Sequence, residues 1–151
     1  MIENDHFAAS FDAQTGTISV RRSDGTPFLT GGVACANTSV GKHSTASSGR
    51  EHSVEISPFR DRLGSGRRMV IVSRDPRKLL DLRVEAALYD RRRMVTIEAH
   101  CSNVSSRDVI VMSLEPIRAV ATDSFASRAP LIGGREPGGG SAAKTWIVPA
   151  S

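Results

Sequence analysis

Residues 82–118, LRVEAALYDRRRMVTIEAHCSNVSSRDVIVMSLEPIR, constrain the fold more than any other part of the chain. Leu82, Val84, Ala86 and Leu88 alternate with Arg83, Glu85, Ala87 and Tyr89. Val95, Ile97, Ala99 and Cys101 then alternate with Met94, Thr96, Glu98, His100 and Ser102. Strand side chains point to opposite faces with period 2, so each run has one apolar and one more polar face. A third run, Val109 to Leu114, is apolar on both faces. Three consecutive strands joined by two short polar turns form a meander with one face to bury, and a second sheet is the usual cover. The expected fold class is therefore all-β, an antiparallel β-sandwich with little helix.

The rest of the chain reads the same way. Phe7, Ala9 and Phe11 share one face of a strand that ends in the turn Asp12-Ala13-Gln14-Thr15-Gly16, and Thr17 to Arg22 returns with Ile18 and Val20 on one side. Asp24-Gly25 predicts a type I′ hairpin. Pro27-Phe28-Leu29 opens the next strand, which Gly31-Gly32 ends or bulges. Residues 37–50 are small and polar without sustained periodicity and are expected to form a flexible loop, as are residues 133–143. Val54 and Ile56 mark a short strand before Pro58, and Met69-Val70-Ile71-Val72 predicts an interior strand covered on both sides. No segment has a helical period with caps. Trp146-Ile147-Val148 reads as a strand with no visible partner. Residues 1–151 are thus expected to be one β-sandwich domain, incomplete at its C-terminus.

Composition narrows the function. A chain of 151 residues with 39% hydrophobic and 24% charged residues is in the range of an ordinary globular domain. No apolar run approaches the ~20 residues that span a bilayer, and MIENDHFAAS lacks the basic start of a signal peptide. The expected location is cytoplasmic, with no membrane partner. Cys35 and Cys101 form no CxxC and are expected to be reduced. Asn37-Thr38-Ser39 and Asn103-Val104-Ser105 match the N-glycosylation pattern but read as chance turn sequences. The formal charge of +4 invites a nucleic-acid reading. Against it, the arginines between Arg60 and Arg93 are interleaved with Asp61, Asp75, Asp81 and Asp90, and the aromatic content is only 5%. No nucleic-acid partner is expected.

Motifs for catalysis are wanting. His6, His43, His52 and His100 form no HExxH or zinc-type cluster, so no metal or other cofactor is expected. Gly64-Ser65-Gly66 and Gly138-Gly139-Gly140 lack the context of a phosphate loop and read as loops. No nucleophile elbow is present. Glu85, Glu98 and Glu115 read as solvated or salt-bridged strand glutamates. No catalytic, cofactor-binding or metal-binding residue is assigned.

The segments NDHFAASFDAQTGTISVRRSDGTPFLTGGVA, GRRMVIVSRDP and LRVEAALYDRRRMVTIEAHCSNVSSRDVIVMSLEPI resemble the amino-terminal β-domain of family-36 glycoside hydrolases, the α-galactosidases. The likeness runs over nearly the whole chain. It implies part of a galactose-mutarotase-like supersandwich that precedes a (β/α)8 barrel, and the two catalytic aspartates belong to that barrel. This sequence has no barrel repeats, so no catalytic residue carries over. The implied role is a non-catalytic module that packs on a barrel, makes homo-oligomer contacts and borders a site for an α-galactoside ligand. The alternative is a free-standing carbohydrate-binding or protein-interaction β-sandwich. Tyr89 and Trp146 are the only Tyr and Trp, a scarcity that weakens a lectin-like role.

Overall fold

A computed structural model describes residues 1–119 in full and the backbone of residues 131–132 and 141–149. Among these residues every regular element is a strand, and two antiparallel sheets pack face to face as a sandwich. The strands are β1 (Ile2–Glu3), β2 (Phe7–Asp12), β3 (Thr17–Arg22), β4 (Pro27–Thr38), β5 (Gly41–Ser44), β6 (Glu51–Asp61), β7 (Gly64–Arg74), β8 (Leu80–Tyr89), β9 (Met94–Asn103), β10 (Val111–Arg118), β11 (Leu131–Ile132) and β12 (Ser141–Pro149). One sheet runs β1-β2-β3-β4-β10, with β5 also on β4; the other runs β11-β12-β9-β8-β7-β6.

Local chemistry accounts for the hairpins. At the β2–β3 turn, Asp12 Oδ1 accepts from the Gln14 amide at 2.8 Å, and the Gly16 amide donates to the Asp12 carbonyl at 2.8 Å. Gly16 has φ 67°, a conformation that glycine adopts without a Cβ penalty. The β3–β4 hairpin corrects the expected type I′ turn. The Gly25 amide donates to Arg22 O, the Arg22 amide donates to Thr26 O, and only Gly25 has a positive φ. This is a three-residue loop in which a type I turn is followed by a glycine bulge. Asp24 Oδ1 holds it by accepting from the Thr26 amide at 2.8 Å.

The core draws on both sheets. Ile2, Phe7, Ala9, Ile18, Val20, Leu29, Ala34 and Ala36 face Met69, Ile71, Leu82, Val84, Ala86, Leu88, Val95, Ile97, Ala99 and Cys101. The alternation read in 82–101 is the alternation of burial over most of its length: Leu82, Val84, Ala86 and Leu88 are all 1% exposed or less, while Ala87, Tyr89 and Thr96 on the other face are buried as well. β1 lies against β7, β2 against β8, and β10 against β9 and β12. β10 joins β4 by pairing Leu114 with Ala36 and Glu115 with Cys35, and it adds Leu114 and Ile117 to the core.

Several sequence expectations change. Gly31-Gly32 is a bulge inside a continuous β4: Val20 pairs with Leu29 and Ile18 with Gly32, with a register shift between them. A Cβ at position 32 would collide with the Ile117 side chain, so glycine makes room for the core there. Residues 37–50 are a loop only in part, at 39–40 and 45–50. Asn37 and Thr38 close β4, Gly41–Ser44 is β5, and His43, Thr45 and Arg50 are buried. A buried arginine tied to two distant carbonyls fixes this segment, a long-range interaction invisible to local periodicity. The Gly64-Ser65-Gly66 loop is the start of β7. β6 runs eleven residues, straight through Pro58; as a sheet-edge strand it does not need that missing amide on both sides. β7 is covered on one face only: Met69 and Ile71 are buried, whereas Val70 and Val72 are half-buried. The strand at 146–148 does have a partner, since β12 pairs with β9 from Ser141 opposite Ser102 to Pro149 opposite Met94. Of residues 133–143, the last three begin β12, and 133–140 lie outside the described residues, as do Gly138-Gly139-Gly140.

Candidate functional site

A structured concavity lies on the outer face of β5, β4 and β10. Directly opposed residues of antiparallel strands share a face. The register sets Lys42 beside Asn37 and Asn37 beside Ser113, then Ser44 beside Cys35 and Cys35 beside Glu115, with Val33 opposite Arg118 at the end. Their neighbours Ala34, Ala36, His43 and Leu114 point to the core. With Ser47, these outward residues line a cleft of about 390 Å3. Arg118 grips Glu115 in a two-pronged pair, Nε to Oε2 and Nη2 to Oε1, each 2.7 Å. That geometry fixes both side chains better than a single contact would. Lys42 has no carboxylate within ion-pair distance among the described residues. The cleft offers an ammonium, an amide, hydroxyls, a thiol and the carboxylate–guanidinium pair, with no Phe, Tyr or Trp among the described residues that line it. Such a lining suits hydroxyl groups of a sugar approached from one side.

A buried polar clasp holds β5 in place behind this cleft. Arg50 donates from Nη1 to Ser73 O at 2.7 Å and from Nη2 to Leu80 O at 2.9 Å, and Nη2 also lies 3.4 Å from His43 Nδ1. Guanidinium can only donate, so Nδ1 accepts and the neutral imidazole carries its proton on Nε2. Burial, then the Arg50 charge, pushes the His43 pKa down. Nε2 is buried without a hydrogen-bond partner. Asp75 lies 3.6 Å from His43 Nδ1. Burial pushes the Asp75 carboxyl up, but hydrogen bonds from the Arg77 and Leu80 amides and the charges of Arg50 and Arg77 outweigh it, leaving it below the usual range. The clasp thus ties β5, the start of β6 and the β7–β8 turn together.

The residues weighed from sequence are dispersed. Glu85 bridges Arg83 at 2.8 Å and Arg68 at 3.4 Å on the outer face of the second sheet. Glu98 sits there 3.9 Å from half-buried His100, and Glu115 alone enters the cleft. His52 packs edge-on against Phe11, with ring centroids 5.2 Å apart, and burial pushes its pKa down. Asn103 spends its side chain on its own turn, accepting from Ser105 and donating to Arg107 O. No disulfide joins half-buried Cys35 to buried Cys101. Among the described residues, no group of three or more His, Cys, Asp or Glu side chains could hold a metal ion, and no helix is long and apolar enough to cross a membrane. The cleft and the clasp escaped sequence reading because β4 meets β10 across some eighty residues, and only register brings Cys35 to Glu115.

Comparison with known proteins adds no identification: no protein-family model matches the chain, and neither a curated protein nor a solved structure matches it.

Proposed function

We propose that this chain is a non-catalytic β-sandwich module of an α-galactosidase-like glycoside hydrolase of the cytoplasm. It packs on a separate (β/α)8 catalytic barrel, contributes to homo-oligomer contacts and lends its β5–β4–β10 cleft to the border of the sugar site. The strand-and-turn likeness of residues 4–34, 66–76 and 82–117 to that family's amino-terminal domain motivates the reading. The observation that carries it is the incompletely covered inner face of β6, where His52 packs on Phe11 of β2 but Val54 and Ile56 stay exposed. Val54 and Ile56 pair with Ile71 and Met69, on the face that is core elsewhere, yet they remain 43% and 41% exposed. An apolar overhang at a sheet edge favours a covering partner. The polar cleft, with its fixed Glu115–Arg118 pair and no Phe, Tyr or Trp among the described residues that line it, supports a border and not a whole sugar site.

The test is a titration of the purified chain with methyl α-galactoside, read by amide chemical shifts, together with a hydrolysis assay. Weak, millimolar binding that perturbs Asn37, Lys42, Ser44, Ser113, Glu115 and Arg118, with no turnover, is the expected result. Hydrolysis at an enzyme-like rate overturns the non-catalytic reading, and the lack of any cleft perturbation overturns the sugar border. Micromolar binding by the chain alone would instead favour the free-standing carbohydrate-binding sandwich.

A further inference from the structure

At the opposite end of the second sheet, the fold gathers charge that the sequence disperses. The β6–β7 turn and the β8–β9 turn lie side by side because β7 and β8 pair to their ends, Gly66 opposite Tyr89. They are also stapled. The Asp90 amide donates to Ser65 O at 3.0 Å, Ser65 Oγ donates to Asp90 Oδ2 at 3.0 Å, and Arg92 Nε donates to Leu63 O at 2.6 Å. Between the turns is an open cavity of about 710 Å3, lined by Arg60, Arg91 and Arg92 and also by Asp90.

The two turns hold five arginines, Arg60, Arg62, Arg91, Arg92 and Arg93, against the two aspartates Asp61 and Asp90. Both acids are already engaged. Asp61 accepts from Tyr89 Oη at 2.9 Å and from the Leu63 and Gly64 amides, and Asp90 accepts from Ser65. None of the five arginines has a carboxylate within ion-pair distance among the described residues. The floor is rigid. Tyr89 is 4% exposed, packs edge-on against Phe59 with centroids 5.0 Å apart, and has its phenol pushed up to about 12 by burial and by Asp61. Arginines in excess of carboxylates around a concave floor attract anions, and phosphate oxygens match their forked donors.

We propose that the cavity between the β6–β7 and β8–β9 turns, lined by Arg60, Arg91 and Arg92, binds a phosphate-bearing small molecule. The size of the cavity suits a compact polyanion, and the site stands apart from the β5–β4–β10 cleft, so it does not depend on the proposed sugar role.

Isothermal titration with tripolyphosphate tests it, comparing the full chain, the double variant Arg60→Gln/Arg91→Gln and a control, Arg21→Gln/Arg22→Gln, that removes equal charge from β3. The expected result is saturable one-to-one binding that weakens about tenfold or more in the cavity variant and stays within about twofold in the control. Equal loss in both variants means diffuse electrostatics and overturns the proposal, as does the absence of saturable binding. A single-stranded oligonucleotide that binds more tightly than tripolyphosphate, with a steep salt slope, would reassign the surface to nucleic acid and also overturn it.

Discussion

At the residue scale, conformation and space set the most specific demands. Lys78 closes the β7–β8 turn with φ 52°, the one positive-φ residue other than glycine among the described residues, and its amide donates to Asp75 O. An L-residue there carries a strain of about 1 kcal/mol that glycine lacks. Lys78→Gly is therefore expected to stabilise the fold by about 0.5 kcal/mol after the flexible unfolded chain takes its share, as a rise in urea midpoint without a change in slope. Gly16 has the opposite constraint. It needs φ 67°, and an added Cβ would meet the Thr45 carbonyl and the Ala46 backbone. Gly16→Ala should cost more than the ~1 kcal/mol of an ordinary positive-φ substitution, because backbone from a neighbouring segment must move. A drop in melting temperature of under a degree would contradict this. The Gly16 turn was legible in sequence through its Asp12-to-Gly16 signature. Its contact with Thr45 was not, since nothing local announces that residues 41–50 come back across it.

Elements repeat the pattern. Residues 82–86 and 97–103 could be read because one face is buried and the other half-buried or exposed, a difference that period 2 records; the burial of Ala87, Tyr89 and Thr96 on the second face did not show in it. β6 and β7 were read less well for a physical reason: β6 lies at an edge, where both faces of an eleven-residue strand meet solvent and the sequence carries little alternation. The clasp of His43, Arg50 and Asp75 was illegible because its members sit in one strand and two separate connections. It has a pH signature. His43 and His52 have pKa values below the ordinary 6.5 in the folded protein, so the unfolded chain binds more protons as the pH falls below that value. Their contribution is fully present above about pH 6.5 and is lost as acid approaches their folded values. Asp75, also depressed, adds a further loss as pH falls through and below 3.8. Urea midpoints should thus be level above neutrality and decline from about pH 6.5 downward. His43→Gln, whose amide oxygen can still accept from Arg50, should flatten that decline, and His43→Gln/His52→Gln should flatten it further. An unchanged profile in both variants would remove histidine from the account. Arg50→Met should cost about 3 kcal/mol at any pH above 7, since it leaves the Ser73 and Leu80 carbonyls without their donor.

For the whole molecule, the decisive asymmetry is that one sheet overhangs the other. β1 and β2 cover β7 and β8, and β6 continues beyond them with Val54 and Ile56 turned to the core side. Its charged neighbours Glu51, Glu55 and Arg60, and Pro58, hinder indiscriminate strand addition, which leaves side-chain packing as the means of covering the edge. Covering either side chain is worth roughly 1 kcal/mol by apolar area, enough for a weak contact and too little for a permanent one. The isolated chain is accordingly expected to self-associate at high micromolar concentration through β6. In sedimentation equilibrium, Val54→Lys/Ile56→Lys should restore a monomer, while its urea midpoint stays within about 0.5 kcal/mol of the parent because the altered positions are already exposed. A parent that is monomeric throughout would deny β6 a role in homo-oligomer contacts. A double variant that unfolds would mean that Val54 and Ile56 already serve the core, and the overhang would then lose its place in the argument for a packing module.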